Sequence, residues 1–274
     1  MSFGLVKTCS LLTFFLLWVT GCATLPATVS LEAAVREQAK VDFLQVVASQ
    51  QECNCCLDVQ VRATVKSVLH KGSLQGFLQA MSPAYLKFVG LNPLGQPLVI
   101  LSVDGEKFRY VVVPEAKGYE GVVTAQKFKD YAPKGFEPEH AFFWLAGRLA
   151  PEELEIFAVA EDGEGRGLWF ELAYDRETVR RHLLFDPQEK LILRHIVVDE
   201  DQHTLMDVRY LGYQHKSAGE KSECRLPALI EVHASTKNGS VMELAFSELL
   251  VDAHFTERDF VVRLPAGFQR EVIE

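Results

Sequence analysis

Cysteines are the residues of this sequence whose spacing most directly allows chemistry. Four of them lie beyond the first 30 residues, at Cys53, Cys55, Cys56 and Cys224. The clustered three could supply half of a tetrahedral zinc site, but no second cysteine pair or nearby histidine completes four ligands. The alternative is a set of disulfides, for which four cysteines allow three pairings. The spacing leaves all three pairings open.

A second group of polar side chains surrounds one predicted turn. It consists of His195, Asp199, Glu200, Asp201 and His203. Carboxylates and imidazoles at this spacing could bind a divalent cation. An acidic turn between two strands explains the same residues, because aspartate commonly hydrogen-bonds the backbone of a turn. The sequence motifs of hydrolases, metalloproteases, phosphate-binding loops and dinucleotide-binding folds are missing from the chain. We therefore predict that the chain is not an enzyme and uses no metal or cofactor.

Residues 1–21 have the layout of an export signal. Lys7 precedes an apolar run over residues 11–19, which is too short to span a bilayer. The small residues Thr20 and Gly21 suit a signal peptidase, and the stretch that ends at Cys22 resembles a bacterial lipobox. Cys22 would then be lipidated and become the first mature residue. The alternative is an ordinary secretory signal that contains a cysteine. Export places the chain in an oxidising compartment, which favours disulfides over zinc.

Cleavage before Cys22 would leave an acidic chain. The formal charge of the whole sequence is −9, and the signal removes one lysine and no acidic residue. A net negative charge disfavours nucleic acid and anionic lipid as general partners. Membrane attachment is therefore expected to depend on the lipid and on local apolar features, and no second apolar run of about 18 residues follows that could span a bilayer. Ala23 follows Cys22. In lineages that use an aspartate there as an inner-membrane retention signal, this implies the outer membrane, with the chain facing the periplasm.

The elements that must position the candidate cysteines and polar residues are mainly strands. Residues 22–30 look like a tether, and residues 31–51 carry an imperfect helical stripe. Residues 57–66 alternate between apolar and polar side chains, as in a half-buried strand. Turn signals separate about ten short strands in all. The predicted strands are 57–66, 85–89, 97–103, 107–113, 155–160, 167–174, 179–186, 190–198, 204–213, 226–235 and 240–250. Consecutive hairpins of this kind predict an antiparallel meander that forms a barrel or a partial barrel.

One predicted helix interrupts the strands. Residues 136–149 hold an apolar, largely aromatic run, Phe142, Phe143, Trp144 and Leu145. Such a helix is expected to lie over or inside the curved sheet. It could simply fill the core, or it could form a lid over an apolar cavity, and aromatic content alone fits both.

A surface turn with two leucines carries a family resemblance. Leu91, Asn92, Pro93, Leu94 and Gly95 combine turn-forming residues with apolar ones. This resembles LolB, the outer-membrane lipoprotein receptor of the LolA/LolB half-barrel family, in which a similar turn projects a leucine. The end of the aromatic helix and the last two long strands are similar to that family as well, and the resemblance covers residues 57–251. Three features depart from it: phenylalanine and serine stand at 246–247 where the family tends to have tryptophan, and the cysteine cluster and the tail over residues 252–274 are additional.

The resemblance implies both a fold and a function. The fold would be α+β and mostly β: a single half-barrel domain over residues 31–274, covered on its apolar side by helices. The function would be to accept acylated lipoproteins from a periplasmic carrier of the LolA type and to insert them into the outer membrane, with Leu94 entering the leaflet. The protein would act as a monomer. Two alternatives are a lipid or glycolipid carrier without insertase activity and a scaffold lipoprotein with a packed interior.

Overall fold

A computed structural model describes residues 26–53, 55–66, 71–124, 134–175, 178–215, 221, 224–234, 241–250 and 253–273. The predicted signal peptide and Cys22 lie outside the described residues. Within the described part, no helix is long and apolar enough to cross a membrane.

Fifteen strands of the described chain form one open sheet. They are β1 (Thr28–Ser30), β2 (Cys56–Lys66), β3 (Lys71–Met81), β4 (Tyr85–Leu91), β5 (Pro97–Asp104), β6 (Lys107–Val112), β7 (Lys117–Val122), β8 (Leu154–Asp162), β9 (Leu168–Tyr174), β10 (Arg180–Asp186), β11 (Leu191–Val198), β12 (Thr204–Leu211), β13 (Leu229–Ala234), β14 (Val241–Ser247) and β15 (Gln269–Ile273). The predicted fold class, mostly β with an antiparallel meander, is confirmed.

The order of the strands across the sheet is nearly sequential in two blocks. It runs β1, β8 to β14, β2 to β7, and then β15. Neighbouring strands are antiparallel except for β15, which pairs with β7 in parallel. The contact between β14 and β2 joins the two blocks, with Met242 opposite Val65. The chain thus completes one half of the sheet before it returns to add the other half beside it.

Two helices lie on one face of this sheet. They are α1 (Ala33–Ser49) and the short α2 (Ala141–Ala146), which follows the 3₁₀ turn Pro138–His140. Gly147 ends α2 in a left-handed conformation with φ of 65°, which glycine adopts without steric cost. Further 3₁₀ turns are Gln50–Glu52, Val113–Glu115 and Glu257–Phe260.

The helices define an inner face of the sheet. Phe43 of α1 stacks on Phe170 of β9, with ring centroids 4.2 Å apart. Because partners in adjacent strands share a face, the register can be followed from Phe170 across the sheet. The successive partners are Leu183, His195, Val208, Val232, Met242 and Val65. These positions belong to the face that α1 covers.

The C-terminal segment packs against the opposite, outer face. Phe260 is fully buried there, and its carbonyl oxygen accepts a hydrogen bond from Ser102 of β5. Leu264 lies against Gly118 of β7, where a side chain in place of the glycine hydrogen would meet the leucine at 2.1 Å. The segment then ends in β15. The tail that the sequence marks as additional is therefore part of the fold, as a cover for β4 and β5 and as an edge strand.

Several element boundaries differ from those predicted. The strand count of about ten is too low, because β1, β3, β7 and β15 were not predicted. Part of the predicted tether, Thr28–Ser30, pairs with β8. The helix predicted over residues 136–149 is shorter, because Pro138–His140 forms a 3₁₀ turn and Gly147 stops α2.

Candidate functional site

The turn between β4 and β5 presents Leu94 to solvent. Its side chain is 83% exposed, whereas Leu91 at the end of β4 is half-buried. Asn92 builds the turn, because its Oδ1 accepts hydrogen bonds from the backbone N–H groups of Leu94 and Gln96, both at 2.9 Å. Gly95 supplies the positive φ of 78° that closes the turn. The turn is thus held rigidly by polar contacts while its leucine is left without apolar cover.

An apolar wall continues from this turn along the inner face. The register extends the inner face into β3 to β7 through Leu74, Phe88, Val99, Leu101, Tyr110, Val112 and Tyr119. We call these seven residues the open wall. All are half-buried except Tyr110, which is 37% exposed. Gly90 lies between Leu74 and Val99, and a β-carbon there would meet Leu74 at 2.2 Å, so the two side chains close over the glycine. The open wall is a continuous apolar surface that solvent still reaches.

The other half of the inner face is closed. The predicted lid residues Phe142, Phe143, Trp144 and Leu145 are all buried in the main hydrophobic core, together with Phe43 and the inner residues of β9 to β13. Trp144 stacks on His195 of β11, with ring centroids 4.1 Å apart and planes within 10°. In this conformation α2 is therefore packed directly onto the sheet.

Beneath α2 lies a group of polar side chains, which we call the inner polar cluster: the half-buried Glu137 and the buried Tyr174, Arg181, His195 and Tyr210. Arg181 is fully buried and forms an ion pair with Glu137. Its Nη1 donates to Nε2 of His195 at 3.4 Å, and its guanidinium lies 4.7 Å from the centre of the Tyr174 ring. Arg181 thus holds together three elements of the covered half.

Burial sets the protonation of this cluster. Burial, and then the positive charge of Arg181, lower the pKa of His195 well below its ordinary value, so the ring is neutral at pH 7. Burial also raises the pKa of the Tyr210 phenol well above its ordinary value, with the charge of Arg181 acting in the opposite direction. Both groups are therefore uncharged, and Arg181 and Glu137 carry the formal charges.

His140 links the start of α2 to two carboxylates. Its Nε2 lies 2.6 Å from Glu152 and its Nδ1 lies 3.2 Å from Glu137. Burial acts to lower the pKa of His140, but the hydrogen bonds and charges of the two glutamates outweigh burial and raise it. The protonated ring is thus favoured in the folded protein.

We expect this contact to make the attachment of α2 dependent on pH. A raised folded-state pKa contributes stability that is fully present below the unfolded value of about 6.5 and is lost as the pH rises through the folded value. The difference in the free energy of unfolding between wild type and His140→Gln should therefore be largest below pH 6.5 and shrink above it. Urea denaturation of both proteins across this range measures the difference. A difference that is constant with pH would contradict the assignment.

The structure pairs two of the four candidate cysteines. Cys53 forms a disulfide with Cys224, which lies 171 residues further along the chain. Cys55 is exposed and Cys56 is buried, and their sulfur atoms lie 3.0 Å apart outside this disulfide. The carbonyl oxygen of Cys224 accepts a hydrogen bond from Arg148, just after α2, at 2.7 Å. The disulfide thus connects the segment after α1 to the segment around Cys224, which also contacts the end of α2 through Arg148.

The predicted grouping of His195 with the acidic turn is wrong. His195 is buried on the inner face of β11, whereas His203 is exposed in the turn. Asp199 organises the turn by accepting the backbone N–H groups of Asp201 and His203. Among the residues that the structure describes, no group of three or more metal-ligating side chains comes together.

A groove of about 390 Å³ lies away from these features, at the β6, β7 and β15 edge. Two of its arginines, Arg109 and Arg270, pair with Glu120 in the groove, and Arg109 also pairs with Asp104 outside it.

Comparison with solved structures identifies the fold. The chain aligns with a LolA superfamily protein from Nitrosomonas europaea with a TM-score of 0.55 and 11% identity, over 80% of this chain and 97% of that one. A domain from Vibrio parahaemolyticus named for outer membrane lipoprotein sorting gives a TM-score of 0.56 and 10% identity, over 80% and 95% of the two chains. The fold is LolA-like. A DUF1329 family protein from Desulfovibrio piger aligns similarly, with a TM-score of 0.57, 9% identity and coverage of 81% and 96%. Neither a protein-family model nor a curated protein matches the sequence.

The LolA-like fold brings some of the sequence candidates together and separates others. Phe142 to Leu145 lie together in the main hydrophobic core over the sheet, whereas the Leu94 turn stands apart from them on the open half. Sequence reasoning missed Glu137 and Arg181. A signal did exist for Arg181, because an arginine on the same face as the flanking apolar residues Leu183 and Phe185 breaks the alternation of a half-buried strand. Its partner could not be read from the sequence, since the two residues are 44 positions apart.

Proposed function

We propose that this chain is a lipid-anchored receptor of the outer membrane that accepts acylated lipoproteins from a soluble, LolA-like periplasmic carrier and inserts them into that membrane. The observation that supports this most directly is the open wall, a half-exposed apolar surface on the inner face that leads to the exposed Leu94 turn. The LolA-like fold agrees with an acyl-binding role.

Energetics explain why such a surface is useful. Each methylene moved from water to an apolar site is worth about 0.8 kcal/mol, so a multiply acylated protein would face tens of kcal/mol if its chains crossed water exposed. The sequence has no nucleotide-binding motif. Transfer must then proceed from one apolar site to a better one, which requires an apolar path but no covalent chemistry.

In this proposal Leu94 acts when the cargo is released into the membrane. An exposed leucine on a rigid turn can enter the leaflet and disturb lipid packing next to the open wall. In this proposal Cys22 supplies the anchor, and the turn supplies the point of release.

The second candidate function is that of a lipid carrier, which needs the inner face but not the exposed turn. The ionic pair between Arg181 and Glu137 beneath α2 favours this candidate, because it could serve as a site for a polar head group.

Leu94→Glu tests the proposal. The side chain is solvent-exposed, so the substitution should change the free energy of unfolding by no more than about 0.5 kcal/mol. A carboxylate that must enter a bilayer costs about 2.5 kcal/mol at full depth and less near the interface. We expect delivery of cargo to liposomes to fall by roughly tenfold, since about 1.4 kcal/mol corresponds to a factor of ten. Transfer of an acylated protein from the carrier, measured together with thermal melting, gives both quantities.

Leu250→Glu is the matched control. Leu250 is 56% exposed, and its backbone N–H donates to Asp58 near the start of β2, at the opposite end of the strands from Leu94. The same chemical change there should leave delivery intact. If Leu94→Glu delivers cargo as wild type does, the insertase role is wrong and the lipid carrier becomes the better candidate. If both variants lose delivery equally, the effect is one of surface charge and not of the turn.

A further inference from the structure

Two cysteine sulfur atoms lie in contact at the start of β2. Sγ of Cys55 and Sγ of Cys56 are 3.0 Å apart, which is longer than a disulfide bond of about 2.05 Å. Successive side chains of a strand point to opposite faces, but Cys55 lies in a bend just before β2, which begins at Cys56. The carbonyl oxygen of Cys55 accepts a hydrogen bond from the backbone N–H of Ser82 at 2.9 Å, and Cys56 lies opposite Met81. Contacts with the end of β3 thus fix the backbone that brings the two thiols together.

Access to the two thiols is unequal. Cys55 is exposed, whereas Cys56 is only 4% exposed. A molecule in solution can therefore reach the sulfur of Cys55, while the buried sulfur of Cys56 is positioned to react with Cys55. Reactive cysteines commonly combine an accessible thiol with a second, resolving thiol beside it. Both thiols lie outside the disulfide between Cys53 and Cys224, so both can take part in exchange.

A bond between these neighbours would differ from the disulfide that the structure already contains. The Cα atoms of adjacent residues are about 3.8 Å apart across a trans peptide bond, whereas disulfides usually join Cα atoms about 4.4–6.8 Å apart. Cys53 and Cys224 lie within that range, at 5.4 Å. Because a disulfide outside the usual geometry is strained and more easily reduced, a bond between Cys55 and Cys56 would be readily reversible.

We propose that Cys55 and Cys56 form a reversible dithiol site that undergoes thiol–disulfide exchange with an accessible disulfide of another molecule. The thiolate of Cys55 attacks one sulfur of that disulfide, a mixed disulfide forms, and the second sulfur leaves as a thiolate. The thiolate of Cys56 then attacks Sγ of Cys55, which closes the bond between the two cysteines and releases the first sulfur. The chain loses two electrons and two protons, and the other molecule gains them as its disulfide becomes two thiols. The reverse steps reduce the site again.

The proposal predicts a different product from that of an ordinary exposed thiol. A thiol that acts alone stops at the mixed disulfide, which accumulates. When a second thiol lies beside it, the next step is intramolecular and fast, so the mixed disulfide is short-lived. The amounts of the mixed disulfide and of the closed pair therefore separate the two explanations.

The experiment treats the folded full chain with oxidised glutathione. Samples are quenched with acid at fixed times, and the remaining thiols are blocked. Mass spectrometry of the peptides that contain residues 53–56 and Cys224 then quantifies the glutathione adduct, the closed pair and the disulfide between Cys53 and Cys224. The proteins are wild type, Cys56→Ala, which lacks the resolving thiol, and Cys55→Ser, which lacks the accessible one. Thermal melting shows whether each variant is folded.

We expect wild type to form the closed pair, with at least about tenfold less glutathione adduct than Cys56→Ala, because resolution within the chain outpaces release by a second glutathione. Cys55→Ser should form neither product, since Cys56 is buried. A mild dithiol reductant should then reopen the closed pair while Cys53 and Cys224 stay joined.

Equal amounts of adduct in wild type and Cys56→Ala would overturn the proposal, as would a closed pair that opens only together with the bond between Cys53 and Cys224. Products that join Cys55 to either of those two cysteines would overturn it as well. If Cys56→Ala does not fold, wild type alone still decides, because an adduct that persists at Cys55 without closure contradicts a resolving role for Cys56.

Discussion

Replacing Cys53 and Cys224 together with serine is expected to lower the free energy of unfolding by about 4 kcal/mol. The disulfide joins residues 171 positions apart. A crosslink across so long a loop restricts the unfolded chain strongly, and the chain-entropy model gives about 5 kcal/mol for this length. The lower figure allows for residual structure in the unfolded state.

Loss of the disulfide should also weaken the local packing of α2. Cys224 accepts a hydrogen bond from the buried Arg148, which follows α2. Without the disulfide, the segment that carries Cys224 is held less firmly, so the contact with Arg148 should weaken. Hydrogen exchange in residues 141–148 is therefore expected to accelerate more than that of β9 to β11.

Equilibrium denaturation under non-reducing and reducing conditions provides the measurement. The matched control is Cys55→Ser, because Cys55 is exposed and outside the disulfide. It should change stability by no more than about 0.5 kcal/mol. A reducing agent should destabilise wild type and the control but leave the double variant unchanged. A loss below about 1 kcal/mol in the double variant would show that the bond is not a major source of stability.

Much of the sheet could be predicted from sequence because its strands alternate locally. Residues 57–66 are an example, and they correspond to most of β2. Two of the strands that were missed, β3 and β7, contain glycine, which usually signals a turn. In β7, Gly118 gives room to Leu264 and Gly121 to Phe108 and Ile273. These glycines are required by packing partners remote in sequence, and a local pattern does not carry that information.

In the candidate site, too, some features are specified locally in the sequence and others depend on contacts between distant elements. The Leu94 turn could be found from sequence because Asn92, Pro93 and Gly95 specify it locally. The contact of Arg181 with Glu137 depends on how strands pair and where α2 comes to lie, since the two residues belong to different elements. His195 shows the same limit: its neighbours in sequence suggested an acidic turn, whereas the strand register places it under Trp144. Interactions across strands are therefore what sequence reasoning lacked.

Trp144→Ala is expected to cost about 3–5 kcal/mol in the free energy of unfolding, as for truncation of a buried aromatic side chain. The indole is 7% exposed and stacks on His195 over the inner polar cluster. Its removal takes apolar surface from α2 and opens space above the ring of His195. If α2 forms part of the wall around an acyl ligand, affinity for that ligand should fall as well.

Trp169→Ala is the control that separates these two effects. Trp169 is similarly buried, at 4% exposure, but it packs on the outer face with Leu184 and Ile196. Its truncation should cost a comparable amount of stability without touching the inner face. Denaturation and acyl-probe binding, both measured at a temperature where the two variants remain folded, give the comparison. Weaker acyl binding in Trp144→Ala alone would support a role for α2 in covering the ligand. Unchanged binding in both variants would mean that Trp144 serves only the core, and equal weakening in both would assign the effect to lost stability. In either of the last two cases, the open wall of β3 to β7 would be left as the acyl-binding surface.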